Sequence, residues 1–467
     1  MQKSNLILFL KRLEKRDWRE FRKFVRSPYF NQRNDVVRMF EYLDEAINFL
    51  PPMALHRVKV FSKTYPKETF DEKKLRHTTS ALSKILKKYF VHAELENDTI
   101  QTQQYLFKSF RRKGLDVFFE KELKVSQSIL ENEPFRDSNF YLKKYEIGME
   151  EAGFGIAQRR KETKNLQPVL DDLTISFIAS MLRLSCEIQS HQTLSNQVYD
   201  LKMLAQILEL VGSGCFDNTP IILLYFHSYN AFEYLQNKEI TKSEFHFNEF
   251  KKLIHQHWKL IPPTEIRNIY LYAINYCIKR LNAGDRHFIR EAFELYRAGL
   301  DNQTLLEDGK ISSYTYKNIT GLGIALLEND WIEDFLAHYK KYLHPREREN
   351  TWRYNLAYFY FQKKNYTKAM QLLRQVEFKD SLNNFDARRI LLKCYFELGE
   401  FNALESLLDS FSRYIQRQKE IGYHRENYLN MVRFVKKIIH SRLDDKNVVQ
   451  QIVKDIEAIN ENTCLPK

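Results

Sequence analysis

The sequence predicts an all-α protein built from a run of helical hairpins, and three observations carry that expectation. In 467 residues there are only 13 Gly and 11 Pro, too few to turn the many short strands of a β protein this long. Hydrophobic residues make up 43% of the chain, enough for a sizeable core, and they recur every three or four positions. Short polar breaks interrupt that pattern at Lys113-Gly114, Glu133-Pro134, Gln167-Pro168, Gly212-Ser213-Gly214, Asn237-Lys238, Pro262-Pro263, Ala283-Gly284-Asp285, Asn329-Asp330, Lys364-Asn365 and Gly399-Glu400. No connection is long or low in complexity, so the array reads as continuous.

The N-terminal elements follow from their apolar stripes. Leu6, Phe9, Leu10 and Leu13 predict a helix over 4–15. Asp17 suits an N-cap for a second helix carrying Trp18, Phe21, Phe24 and Val25. Pro28 disfavours helix at Ser27 and ends it. A third helix over 35–49 stops at Pro51-Pro52, and a short one is expected over 53–63. The last spans 71–92, with Leu75, Thr79, Leu82, Ile85, Leu86 and Phe90 inward. Residues 1–95 are therefore expected to form a small helical bundle, 96–310 an irregular hairpin array, and 311–467 a regular array. Helices near 423–440 and 447–460 would cap it with a polar outer face.

Charge is distributed unevenly along the chain. Residues 1–95 hold 21 Lys and Arg against 11 Asp and Glu, so +10 of the formal +13 lies in that bundle. A basic module beside a nearly neutral array suggests an acidic or nucleic-acid partner, although a solvated lysine-rich helix surface gives the same count. Two stretches concentrate the cations. Arg16, Arg19, Arg22, Lys23 and Arg26 interleave with aromatics at core spacing, which leaves the cations for phosphate or carboxylate contact. Lys73, Lys74, Arg76, Lys84, Lys87 and Lys88 form the outer face of the 71–92 helix. Paired with the 53–63 helix it could act as a helix-turn-helix, but Thr64 to Phe70 is long for that turn and lacks its glycine.

Near the C-terminus Trp331, Tyr366 and Phe401 recur every 35 residues, each after a polar or small pair. Around the last two, Leu356, Ala357 and Tyr360 precede Ala369, Leu373 and Val376, while Leu391, Leu392 and Tyr395 precede Leu404, Leu408 and Phe411. Small residues at a close crossing with large ones beside it are what tight helix pairs need. The stretches Trp352 to Leu373 and Ile390 to Leu408 resemble the tetratricopeptide repeat, with Leu404 where that family has Ala. The likeness covers about residues 312–412 and is poorer around Gly321-Leu322 and Asp334.

The resemblance implies a right-handed α-solenoid whose first helices line a concave groove for a protein or peptide partner. Carried onto this sequence, the groove positions are Tyr354, Asn355, Tyr358, Arg389 and Lys393. Ile390 stands where a carboxylate-clamping variant of the family has a polar residue, so that clamp does not carry over.

Catalytic and metal signatures are missing from the sequence. There is no GxxxxGK[ST] loop, and Gly321-x-Gly323 lacks the strand and third glycine of a dinucleotide turn. His255-x-His257 would diverge on a helix, as would Glu150-Glu151. Ser185-Cys186 sits in an apolar run with no His-Asp partner in view. The five cysteines, Cys186, Cys215, Cys277, Cys394 and Cys464, form no CxxC and suit reduced thiols in a cytoplasmic protein. Leu6 to Leu10 is too short for a signal peptide, and Ile221 to Phe226 falls far short of the roughly 18 residues of a membrane span. The expectation is a non-enzymatic scaffold or adaptor without cofactor or metal. The alternative is a nucleic-acid-binding protein using the basic bundle.

Overall fold

The computed structural model describes residues 1, 4–157, 165–192, 195, 197–378, 381–417, 424–441 and 446–460, so Cys464 lies outside the described residues. The chain is all-α, with 22 α-helices and, among the described residues, no strand. It falls into two compact units, Met1–Pro134 with Asn139–Ser176, and Phe135–Ser138 with Phe177–Lys467.

The first unit begins with α1 (Asn5–Leu10), α2 (Lys15–Arg26), α3 (Asn34–Asn48), α4 (Arg57–Thr64) and α5 (Glu72–Asn97). The first helix stops before the predicted Lys15, because a separate cap starts the second. Glu14 is the N-cap of α2 and Asp17 is its third residue, each side chain accepting from the other's backbone N–H. The inward stripe of α5 ends in buried Tyr89, while Phe90 is exposed, a correction of one residue in helical phase. A single apolar cluster runs from Leu6 to Tyr89. At its centre the Phe21 ring meets Phe40 edge-on at 5.1 Å and tilts against Tyr89 at 5.2 Å. A polar knot sits beside it. Asp35 accepts from the Tyr65 hydroxyl at 2.5 Å and from Thr78 at 2.9 Å, and pairs with Arg33 at 2.6 Å. Those bonds hold the Asp35 carboxyl well below its usual range, the Arg33 contact most of all. A hairpin follows, α6 (Thr99–Arg112) with α7 (Asp116–Glu131), and after it come the helices α8 (Ser138–Ala157) and α9 (Gln167–Gln192). Pro168, read as a break, lies in the first turn of α9, where its missing N–H leaves no bond unmade.

In the second unit α10 (Leu204–Gly212) precedes five hairpins. They are α11 (Pro220–Gln236) with α12 (Ile240–His257), α13 (Pro263–Asn282) with α14 (Phe288–Asp301), α15 (Ser313–Ala325) with α16 (Asn329–His338), α17 (Arg348–Gln362) with α18 (Tyr366–Leu373), and α19 (Ser381–Glu397) with α20 (Phe401–Arg417). Helices α21 (His424–His440) and α22 (Lys446–Asn460) end it. Each helix packs on its neighbour in sequence. First helices also touch first helices, α11 with α13, α15 with α17, and α17 with α19.

One turn closes all five of these hairpins and the α6–α7 pair. Gly114, Lys238, Gly284, Leu327, Lys364 and Gly399 each have a left-handed backbone. The residue after each returns its N–H to the carbonyl five residues back, as Glu328 does to Gly323 at 2.9 Å and Glu400 to Tyr395 at 2.9 Å. This is the Schellman closure, which caps the carbonyls that a helix end leaves bare. The turns correct the predicted register. Leu327 aligns with Lys364 and Gly399, so the α15–α16 turn lies before Asn329-Asp330, and Trp331 is the third residue of its helix whereas Tyr366 and Phe401 are the first. Trp331 accordingly stacks on Phe335, while Tyr366 and Phe401 cover Phe361 and Phe396, each five residues back.

Gly323 sits where α15 and α16 cross. A Cβ there would land on Ile332 and lie 3.0 Å from the Phe293 ring. Arg280 locks the α13–α14 turn, buried to 7% exposure with Glu244 and Asp285 each at 2.6 Å and its guanidinium 4.5 Å from the Phe288 ring centre.

The turn geometry predicts opposite responses to one kind of change. Leu327→Gly relieves a left-handed non-glycine residue whose side chain is 79% exposed, and should stabilise the protein by up to about 1 kcal/mol in urea unfolding. Gly399→Ala, in the equivalent turn, should cost about 1 kcal/mol.

Candidate partner-binding face

Packing of successive hairpins brings residues far apart in sequence onto one face of the second unit. Lys317, Thr351 and Asp386 stand 34 and 35 residues apart, one each on α15, α17 and α19. Lys317 Nζ reaches Asp386 at 2.8 Å, passing 5.4 Å from the Tyr354 ring centre of α17. Arg389, one turn along α19, faces the same carboxylate at 3.5 Å. Tyr428 of α21 bonds Asp386 too, and burial first, then that charge, push its phenol up to about 12. Tyr354 is shifted upward for the same two reasons, burial again leading.

Several polar atoms on this face are buried without a hydrogen-bond partner. They are Thr351 Oγ1, Asn355 Oδ1, Arg389 Nε, and both amide atoms of Asn427. A buried polar atom left so costs about 1–3 kcal/mol, and native proteins keep few of them. The cavity beside Lys317, Thr351 and Asn355 measures about 20 Å³, room for little more than one water molecule. That cavity is too small for an organic cofactor, and its surroundings are charged and polar.

The predicted groove residues divide by exposure. Tyr354 and Asn355 are 5% and 1% exposed, and so present little side-chain surface to an outside ligand. Tyr358 is half-buried against the core of α17–α21, Arg389 is half-buried beside Asp386, and Lys393 is exposed. Lys317, Asp386, Thr351 and Asn427 were not anticipated. Thr351 and Asp386 each lie 13 residues before the left-handed turn that ends their helix, whereas Lys317 lies 10 before its own. The repeat spacing in sequence therefore signalled Thr351 and Asp386, and only packing brings Lys317 to them.

The N-terminal cations divide by pairing. Arg19 and Lys23 share Glu20, Arg22 pairs with Asp44, Arg26 with Glu41, Lys74 with Glu68, and Arg76 with Glu72 at 3.8 Å. Among the described residues, Arg16, Lys73, Lys84, Lys87 and Lys88 have no ion pair. The short helix α4 packs against α3.

Comparison with known proteins is negative throughout. No family model matches the chain, and neither curated proteins nor solved structures give a match.

Other titratable groups occupy the second unit. A cavity of about 350 Å³ is lined by Asp137, Arg183, Glu187, Glu265 and Tyr272. Glu265 accepts from Tyr225 at 2.5 Å, and its carboxyl is raised, by burial above all. Across α11 and α12, His227 Nδ1 faces His246 Nδ1 at 2.9 Å. Among the described residues no group of three or more His, Cys, Asp and Glu side chains could hold a metal ion.

The histidine pair sets a pH dependence. Burial, the leading cause for both, takes His227 and His246 down to about 4, with Glu249 opposing and Lys252 assisting at His227, and the His227 charge assisting at His246. The unfolded chain, with imidazoles near 6.5, then binds more protons. Stability should be full above about pH 6.5 and fall towards pH 4, by about 3 kcal/mol per imidazole at most. Both rings keep some contact with solvent that screens the effect, so the fall should be roughly 2–3 kcal/mol for the pair. Urea unfolding across that range should show a shallower loss for His246→Phe.

Proposed function

We propose that this chain is a non-enzymatic scaffold, a right-handed α-solenoid of tetratricopeptide-like hairpins that holds a protein or peptide segment on the face of α15, α17, α19 and α21. The observation that carries this reading is the column Lys317, Thr351 and Asp386, one each on three successive first helices and ringed by buried polar atoms without partners. An extended segment could run along the exposed rim beside that column, several weak contacts summing along the repeats. Exposed Lys393 and half-buried Arg389 and Tyr358 would add side-chain contacts at the rim.

A second reading has an observation of its own. Lys84, Lys87 and Lys88, without carboxylate partners on α5, leave a basic helix face free for phosphates of a nucleic acid. The arginines of α2 favour that reading less, because all but Arg16 are already neutralised.

Tagged protein purified from its native source with and without nuclease, then identified by mass spectrometry, separates the two. Under the scaffold reading one protein partner survives nuclease and is weakened at least about tenfold by Arg389→Glu with Lys393→Glu, a charge reversal at a rim contact. Partners that vanish with the nucleic acid, and return to normal in that variant, would overturn it.

A further inference from the structure

Between Ala46 and Lys67 the chain contains no Asp or Glu, while Arg57, Lys59, Lys63 and Lys67 supply four cations. The same stretch, which leaves α3, turns through Pro51-Pro52 and enters α4, exposes four apolar side chains within ten residues. Phe49 is 82% and Met53 76% exposed, and Leu50 and Val58 are exposed beside them. The α4 helix buries Val60, Phe61 and Thr64 against the core, so Val58, Lys59 and Lys63 are left on the outside. Lys59, Lys63 and Lys67 have no ion pair among the described residues, and Arg57 reaches Glu72 at 2.7 Å. Next to the apolar corner lies a recess of about 740 Å³ walled by Met53, Leu55, Arg57, Glu72 and Arg76, a size usual for ligand sites.

We propose that this corner is a membrane-docking tip that seats on an anionic lipid surface. Phe49, Leu50, Met53 and Val58 enter the headgroup–acyl boundary, and Lys59, Lys63, Lys67 and Arg76 hold lipid phosphates around them. Charge complementarity argues for this occupant. Exposed lysines without carboxylate partners follow directly on an apolar corner, the pairing of forces that holds peripheral proteins to acidic bilayers. A nucleic acid would use the cations but gain nothing from exposed Leu, Met and Val. A protein partner would use the apolar side chains and the recess, but it would have to supply carboxylates opposite Lys59, Lys63 and Lys67, where an anionic bilayer presents phosphates over its whole surface. The positions also tolerate the load: none of the four apolar side chains belongs to the Leu6–Tyr89 core, so their exposure leaves the fold intact.

The test is sedimentation of the full chain with vesicles of phosphatidylcholine alone or with roughly one-third phosphatidylserine. The expected result is binding to the anionic vesicles only. Lys59→Glu with Lys63→Glu should weaken it by roughly tenfold or more, since each lysine near such a surface contributes about a fivefold factor. Phe49→Ser with Met53→Ser should weaken it by roughly tenfold as well. Both variants change exposed residues, and an unchanged melting temperature verifies that they fold. No sedimentation with anionic vesicles overturns the proposal. So does binding that either double variant leaves untouched. If duplex RNA competes fully while Phe49→Ser with Met53→Ser binds vesicles normally, the corner is a polyanion site and the membrane reading fails.

Discussion

An isolated pair of antiparallel helices covers only one side of each helix, so it must lay its remaining apolar surface on another pair. Nearly everything in the second unit follows from that requirement. The aromatic and aliphatic residues left over by α17 and α18 are covered by α19 and α20, and theirs in turn by α21. Because the same left-handed closure ends the first helix of every hairpin, each pair meets the next in a similar way, and first helix follows first helix. A turn with another geometry would put a second helix in that place and scatter the Lys317–Thr351–Asp386 column.

Polar residues inside this stack act as ties between helices that are not neighbours in sequence. The Asp35 knot joins α3, the end of α4 and α5 with every partner satisfied. Arg280 does the same for α12, α13 and the α14 turn, sharing its guanidinium between two carboxylates and an aromatic face. Removing one member of such a buried set strands the rest, which makes each hub specific to its own packing. The face around Asp386 differs in kind. Its ion pair spans α15 to α19, yet Thr351, Asn355, Arg389 and Asn427 keep atoms with no partner. Complete hubs serve the fold alone, whereas the set around Asp386 is buried yet short of partners, with half-buried Arg389 and exposed Lys393 at its rim.

Net charge says little until the pairing is known. The +10 of residues 1–95 divides into arginines of α2 mostly engaged by Glu20, Asp44 and Glu41, and lysines of α4 and α5 of which, among the described residues, Lys74 alone meets a carboxylate. Free cations therefore gather on α5 and at the Phe49–Val58 corner rather than along the arginine-rich helix that dominates the sequence. Among the described residues no helix is long and apolar enough to cross a membrane, so any lipid contact there would be at the surface.

Helix content and most hairpin breaks were legible in the sequence, because apolar spacing and turn residues are local signals. Locality also explains the errors. Phe90 and Tyr89 are adjacent aromatics, and only the contact with Phe21 chooses between them. The 35-residue step from Trp331 to Tyr366 is real in sequence, yet the turn at Leu327 shows the two aromatics in different places, since a non-glycine residue can adopt the left-handed backbone without announcing it. Of the candidate face, Tyr354, Asn355 and Arg389 were found by repeat position, but their exposure was not, because burial depends on which helix comes to lie alongside. The sequence by itself determined that the chain is helical, how its cations are distributed and where its helices pause. Only the tertiary structure decided which cations meet a carboxylate and which polar atoms are left over, since those outcomes depend on contacts between residues as distant as Lys317 and Asp386.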